Sequence, residues 1–276
     1  MKKWTAITLG TLFIGMTAAF ASCGGGESST EKTGGVTYTK NAAGTAYSVT
    51  GFELDGDTVT IAAEYEGLPV TKIAKGAFNA STTDSENIKE IVIPVSVTEL
   101  ESGAFSGCDK LEKVSYEGTV AQWLAIQMYN NDDAAGVDEN PFVASDNKAA
   151  LYAKGEKVTS VTLTAARAGV NMKGCASVTS ITLANTVTKI AAAAFANCTE
   201  LTSVVIGTGV TFIGAGAFEG CDKLTGVEFK DTNGWGLETT GAGNRLRFDA
   251  EDIDGADEAA ELLMDETYYG VWTKIA

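Results

Sequence analysis

VTKIAAAAFANCTELTSVVIGTG (187–209) runs directly into VTFIGAGAFEGCDKLTGVEFKDT (210–232), and the two stretches are one sentence written twice. Every landmark moves by 23 residues: Val187 to Val210, Phe195 to Phe218, Cys198 to Cys221, Val204 to Val227. Two earlier copies are VTKIAKGAF (70–78) and VTELESGAFSGC (97–108). A fixed period of roughly 20–30 residues, with apolar residues at fixed offsets, marks a solenoid. One coil of a solenoid cannot bury its apolar side alone, so it stacks on its neighbours and the stack presents an extended surface.

The second half of each unit places apolar residues at its fourth and sixth positions: Leu111–Tyr116, Val178–Leu183, Leu201–Ile206 and Leu224–Phe229. That is the period of two of a short strand. One such strand per coil, stacked in register, predicts a narrow parallel sheet along one side. The VTxIxxxAF half supplies a second apolar stripe with its Phe in the core, and small residues before it (Gly103-Ala104, Ala193-Ala194, Gly216-Ala217) let the chain turn closely. The unit from Val161 to Cys175 keeps its Cys but loses the AF, which predicts an irregular coil there.

These residues resemble the BspA-like branch of the leucine-rich repeat proteins, whose consensus reads roughly VTxIGxxAFxGCxxLTSVxIPxS. Ile91-Val92-Ile93-Pro94 followed by Val97-Thr98 matches it directly, and the likeness extends from about Gly51 to Phe229. The resemblance implies a leucine-rich-repeat solenoid: β-rich, with short parallel strands, irregular and 3-10 segments, a helical insert and a C-terminal cap helix. It also implies attachment to host matrix proteins or to other bacteria.

The ends and interruptions follow from local signals. Met1-Lys2-Lys3 and the apolar run to Phe20 read as a signal segment, too short to span a membrane. Phe20-Ala21-Ser22-Cys23 resembles a bacterial lipobox, with Phe20 where Leu is usual, and implies lipid attachment at Cys23. The alternative is a plain signal peptide with Cys23 incidental. The expected organisation is thus a signal peptide over 1–22, a flexible tether over 23–35, an N-terminal cap over 36–69, repeats over 70–229 and a C-terminal cap over 230–276. The period is lost between Glu117 and Lys157, and an insert in a solenoid is expected as loops on one face. Within it, Thr119 should cap a helix carrying Val120, Trp123 and Leu124 on one face, and Leu151 to Val158 is hairpin-like.

Composition narrows the function. Loss of residues 1–22 removes two lysines and no acid, leaving 18 bases against 36 acids. Such a surface repels nucleic acid and anionic lipid headgroups, so contact with membrane is expected through the N-terminal lipid only. There is no histidine, the commonest general base and metal ligand. Cys108, Cys175, Cys198 and Cys221 share one repeat position and read as small buried groups rather than disulfide partners, zinc ligands or nucleophiles. Asp252-Ile253-Asp254-Gly255 with Glu261 imitates part of an EF-hand loop, but Ala250 stands at its first ligand position. Those acids read better as the cap and first turn of a helix beginning near Ala256. Trp123, Trp235 and Trp272 sit among core-like residues. No enzyme, cofactor or metal is expected.

The expected protein is a monomeric, exported lipoprotein at the bacterial cell surface or outer membrane that binds a protein or cell-surface ligand. The rival expectation is an envelope-structural lipoprotein, or one capturing glycans or peptides. If binding uses the sheet face, its outward positions are Glu112, Lys113, Ser115, Thr179, Ser180, Thr182, Thr202, Ser203, Val205, Thr225 and Glu228. Most are small and hydroxylated, which favours weak or multivalent contact.

Overall fold

The computed structural model describes residues 30–33, 35–53, 56–79, 85–128, 140–146, 148–165, 167–239, 245–248, 252–264 and 270–275. The signal segment and Cys23 lie outside them. The chain winds as a solenoid whose coils carry two strands each, not one. The LxxVxI half gives a four-residue strand, and the VTxI half gives a strand of only two residues in most coils, as at Lys189–Ile190 and Phe212–Ile213. A two-residue strand is too short to announce itself by alternation, but stacked on its neighbours it completes a parallel ladder.

The long strands pair in parallel from Thr58–Thr60 through Glu90–Ile93 and Lys113–Tyr116 to Ala150–Ala153. A separate parallel ladder runs Ser160–Leu163, Ser180–Leu183, Ser203–Ile206 and Gly226–Phe229. The short strands do the same in two sets. Tyr47–Phe52, Leu68–Ile73, Glu99–Leu100 and Gln127–Met128 form one, and Arg167–Ala168, Lys189–Ile190 and Phe212–Ile213 the other. Antiparallel strands close both ends of the short ladder. Thr30–Thr33, expected in the tether, pairs with Val36–Lys40, which pairs with Tyr47–Phe52. At the far end Gly270–Lys274 lies antiparallel to Phe212–Ile213 and carries Trp235–Thr239 and Arg245–Phe248 beyond it. Caps of this kind cover sheet edges that would otherwise template further pairing.

Each letter of the repeat has a physical reason. The Phe side chains stack between coils: Phe78 on Phe105 with ring centroids 5.4 Å apart, and Phe195 on Phe218 at 5.4 Å, all buried. Burying such a ring contributes about 1.5–3 kcal/mol. After the Phe, successive turns reverse the chain: Cys198 N–H donates to Phe195 O and Leu201 N–H to Cys198 O, a pattern repeated at Cys221 and Leu224. The turn needs left-handed backbone two residues before the Phe and again two after it. Gly103 and Gly107 (φ 64° and 86°) supply this in one copy, and Ala193 and Asn197 (52° and 59°) stand in the same places in another. The thiol completes the corner by reaching back one coil, Cys198 Sγ–H to Met172 O at 3.0 Å and Cys221 Sγ–H to Phe195 O at 3.2 Å. Threonine does likewise on the surface: the Thr202 hydroxyl donates to Thr179 O at 3.0 Å, and Thr211 to Thr188 O at 3.3 Å.

The described part of the segment 117–157 is a widened coil rather than loops hung on one face. It carries the short ladder forward at Gln127–Met128 and the long one at Ala150–Ala153. Thr119 caps Val120–Leu124 in a capping box with Gln122, as its sequence predicts, and Asn140 caps Pro141–Ala144. Trp123 meets Tyr116 and Phe142 edge-on (5.6 and 5.7 Å) and fills the extra width of the core. The predicted hairpin forms between Ala150–Ala153 and Glu156–Lys157.

Both ladders break between this widened coil and the next, and strands that stop pairing leave backbone groups to be satisfied by other means. Side chains do it. Asn171 Nδ2 donates to Ile126 O (2.9 Å) and Trp123 O (3.2 Å), while Trp123 Nε1 donates back to Asn171 O (3.1 Å). Asn140 Nδ2 donates to Lys173 O (2.9 Å), and Ser177 Oγ accepts from Leu151 N–H (3.1 Å). The buried polar residues of the described chain are Ser85, Asn140, Ser145, Asn171 and Ser177; Asn140, Asn171 and Ser177 bridge this joint, while Ser145 bonds within the widened coil, to Phe142 O and Ala149 N–H.

Candidate functional site

Strand alternation fixes what the long ladder shows to solvent. Ile91, Val114, Leu151, Val161, Ile181, Val204 and Val227 are buried, so their neighbours along each strand face outward. In the C-terminal ladder, Ser180, Ser203 and Gly226 form one register row and Thr182, Val205 and Glu228 the next, with Ser160 and Thr162 leading them. Thr179, Thr202 and Thr225 are exposed at the head of these strands. The hydroxyls of Thr179 and Thr202 are engaged by the preceding coil, at Thr159 O and Thr179 O. Glu228 pairs with Lys230. This half is flat, small and polar.

The N-terminal ladder differs. Lys113 Nζ lies 2.9 Å from Glu90 Oε1 and 4.8 Å from the centre of the Tyr152 ring, and Ser115 Oγ–H donates to the same Glu90 oxygen at 2.6 Å. Burial pushes the Glu90 carboxyl up, but the Ser115 and Lys113 hydrogen bonds outweigh it and hold the group below its ordinary range. Glu112 is exposed beside this cluster. The eleven sheet-face residues expected from the sequence therefore fall into two groups: Glu112, Lys113 and Ser115 on one ladder, the rest on the other. Sequence reasoning missed Glu90 and Tyr152. Tyr152 joins because Ala150–Ala153 pairs with Lys113–Tyr116, a partnership hidden by the widened coil.

Other candidate chemistry is spent on structure. Cys108, Cys175, Cys198 and Cys221 are free and buried. Burial is the leading cause that raises each thiol, reaching about 12 at Cys108 and at Cys221. A thiol so held is neither a nucleophile nor a ready metal ligand. Among the described residues no group of His, Cys, Asp and Glu could hold a metal ion. Asp257 and Glu258 occupy the first turn of the helix Ala256–Met264. Trp123, Trp235 and Trp272 are buried. Clefts of about 120 and 150 Å³ flank the Val120–Leu124 helix, below the roughly 300 Å³ at which ligand pockets begin. No helix among the described residues is long and apolar enough to cross a membrane.

The family match agrees with the geometry. The family described as BspA type leucine rich repeat region matches residues 66–132 and 171–235, in six copies. No curated protein matches the chain. Among solved structures, a leucine rich cell surface protein of Faecalibacterium prausnitzii A2-165 is 21% identical over 79% of this chain and 60% of its own, with TM-score 0.49. A leucine-rich repeat protein of Bacteroides ovatus is 21% identical over 72% of this chain and 46% of its own (TM-score 0.43). One of T. pallidum is 20% identical over 72% and 70% (TM-score 0.36). The chain thus spans 60% of the length of the F. prausnitzii protein and 46% of the B. ovatus one. The gap in the family match, 133–170, spans most of the widened coil and the broken ladders beyond it. With the repeated VTxIxxxAFxxC unit, its two parallel ladders and this match, residues 66–132 and 171–235 are leucine-rich repeats of the BspA type.

Proposed function

We propose that the protein is a surface-anchored bacterial lipoprotein whose outward ladder face binds proteins or cell-surface ligands, acting as an adhesin for host matrix proteins or partner cells. The observation that carries this reading is the register-matched, exposed face of the long ladder, with Lys113, Glu90 and Tyr152 at one part and the Ser/Thr rows at the other. Tyr152 supplies the aromatic anchor that interface hot spots favour, and the small hydroxylated rows allow close approach over a broad area. Binding through such a face is expected to be modest per molecule and strengthened by many copies on one surface. The chemistry of the site supports no catalytic role, since the thiols are buried and no histidine exists.

The reading is tested with the purified protein on a panel of host matrix proteins and whole bacteria, by surface plasmon resonance and cell pull-down. Binding to a panel member that weakens at least fivefold in Tyr152→Ala supports it. Folded protein that binds nothing in the panel contradicts it and favours an envelope-structural role. Anchoring has its own test: in a lipoprotein-processing host, Cys23→Ala should leave the detergent phase that the wild type enters. Unchanged partitioning would sink the lipid-anchor part alone.

A further inference from the structure

The turn Asp231-Thr232-Asn233-Gly234 holds the only Asn-Gly pair of the sequence, where the last repeat passes into the C-terminal cap. An asparagine before glycine loses its amide more readily than any other, because no Cβ hinders the glycine nitrogen as it swings against the Asn side chain. Three features of the fold bear on that chemistry. The nitrogen is unencumbered: Gly234 N–H makes no hydrogen bond among the described residues, and Asn233 is exposed. Asp231 Oδ1 accepts from Asn233 N–H (3.1 Å) and from Asn233 Nδ2 (3.2 Å), which gathers the side chain and main chain of Asn233 about one carboxylate. Most telling, the Lys274 ammonium donates to Asn233 O, the carbonyl of the same peptide whose nitrogen must attack. It is anchored there by Asp231 O at 3.2 Å and Asp231 Oδ2 at 2.8 Å, and lies 5.2 Å from the centre of the Trp235 ring. The Lys274 side chain is only 18% exposed, so little water screens its charge from that peptide.

We propose that Asn233 is a self-modification site, converting to aspartate and isoaspartate with water as the only co-reactant, and that Lys274 promotes the step. The Gly234 nitrogen gives its proton to hydroxide, and the charge left on the peptide spreads onto Asn233 O, where the Lys274 ammonium stabilises it. The nitrogen then attacks Asn233 Cγ. The bond from Cγ to Nδ2 breaks, ammonia leaves with a proton taken from water, and a five-membered cyclic imide remains. Water opens the ring at one of its two carbonyls. Attack at Cγ gives aspartate; attack at the main-chain carbonyl gives isoaspartate, in which the main chain runs through the former side chain and is one methylene longer. One water enters, one ammonia leaves, and nothing is oxidised or reduced. The consequence falls on the cap. Asn233 O and Gly234 O both receive donors from the end of the closing strand, Lys274 Nζ and Ile275 N–H. The longer isoaspartate main chain cannot keep both carbonyls in place. The strand Gly270–Lys274, which joins Trp235–Thr239 to Phe212–Ile213, is thereby loosened, so the turn acts as a slow, irreversible timer on the cap.

The test incubates the purified protein in mildly alkaline buffer at body temperature. Conversion is followed by the mass of the tryptic peptide 231–245, and isoaspartate is identified by labelling with an isoaspartate methyltransferase. Asn233 should convert at least tenfold faster than Asn185, which is exposed in the same chain but precedes Thr186. Lys274→Gln, which removes the charge, should slow conversion at least threefold, and Lys274→Arg should lie nearer the wild type than the Gln variant does. A merely structural Lys274 would have the opposite sign, since loosening the turn frees the Asn side chain and speeds the reaction. Circular dichroism checks that each variant folds. A second measurement needs no variant: in urea Lys274 leaves the turn, so the unfolded wild type should convert at least threefold more slowly than the folded protein. The proposal is overturned if Asn233 converts no faster than Asn185, if the unfolded chain converts as fast as the folded one, or if Lys274→Gln converts as fast as wild type. Fully converted protein should melt lower than Asn233→Gln incubated alongside it, and equal melting would overturn the link to the cap. Protein binding on the long ladder is read separately and should survive Lys274→Gln.

Discussion

Replacing Asn171 is the most revealing perturbation of the fold, because one side chain there does what a missing pair of strands would have done. Its amide donates to the carbonyls of Trp123 and Ile126 across the break between the two halves of the solenoid. In Asn171→Ala the Trp123 carbonyl keeps a second donor, the Ile126 N–H at 3.1 Å, while the Ile126 carbonyl loses its side-chain donor in a buried place. One buried carbonyl left unsatisfied costs about 1–3 kcal/mol, so a loss of about 2 kcal/mol is expected. Asn171→Asp keeps the shape but turns the donor into an acceptor facing two carbonyls, and should cost more than the Ala variant. Because stability in a stacked array is a sum over coils and their contacts, weakening this contact should also let the halves unfold at separate urea concentrations. Urea titration reads this out twice: circular dichroism for both ladders, and tryptophan fluorescence, since Trp123 lies at the joint and Trp235 and Trp272 in the C-terminal cap. A loss below about 0.5 kcal/mol in Asn171→Ala, with Asn171→Asp no worse, would refute the reasoning, since it would match an ordinary surface change.

Ala193→Gly relieves a left-handed alanine (φ 52°) at a place other copies give to glycine. The strain of about 1–2 kcal/mol exceeds the extra chain entropy of glycine, so a net gain of about 0.5–1 kcal/mol is expected, seen as a melting temperature higher by roughly 1–3 °C; an unchanged or lower value argues against the strain. The four buried thiols should resist alkylation in the folded protein and label fully after unfolding without reductant, as intact mass will show; bridged pairs would contradict this. The thiols also give a sign to alkaline stability. At Cys108 and Cys221 the folded values stand near 12 against an ordinary 9.0, so the unfolded chain releases protons first as pH rises. Stability is full below about pH 9 and is lost toward pH 12 at about 1.4 kcal/mol per pH unit per thiol, and serine variants at these positions should flatten that slope.

The repeat was legible because each coil reuses the same offsets for the same physical job. Phe195 and Phe218 stack, Cys198 and Cys221 reach back one coil, and a single 23-residue comparison exposes both. The short VTxI strand was not legible as a strand, since two residues carry no period and only the neighbouring coil gives Ile190 and Ile213 their partners. The widened coil hid its strands differently. Ala150 pairs with Lys113, 37 residues away instead of 23, so Tyr152 could not be placed beside Lys113 by counting. Asn171 did leave a trace. Four residues before the Cys the other units write Ala104, Ala194 and Ala217, all buried, and here the chain writes Asn. A polar residue in a column of buried alanines must have partners, and those partners are the joint. The candidate face was half legible: alternation gave its residues, but not the break that divides them into a charged aromatic group and a flat hydroxylated one.

The claim that the outward face of the long ladder is the protein-binding surface is tested most directly by blocking each of its halves with a bulky charge. Thr182→Arg and Ser203→Arg sit on the flat rows, and Ser115→Arg sits beside Lys113 and Tyr152. All three positions lie on the solvent side, so melting should move little. Surface plasmon resonance against the matrix protein or cell that the wild type binds should then show a loss of tenfold or more in at least one of the three. Full binding in all three, with folding intact, would contradict the account.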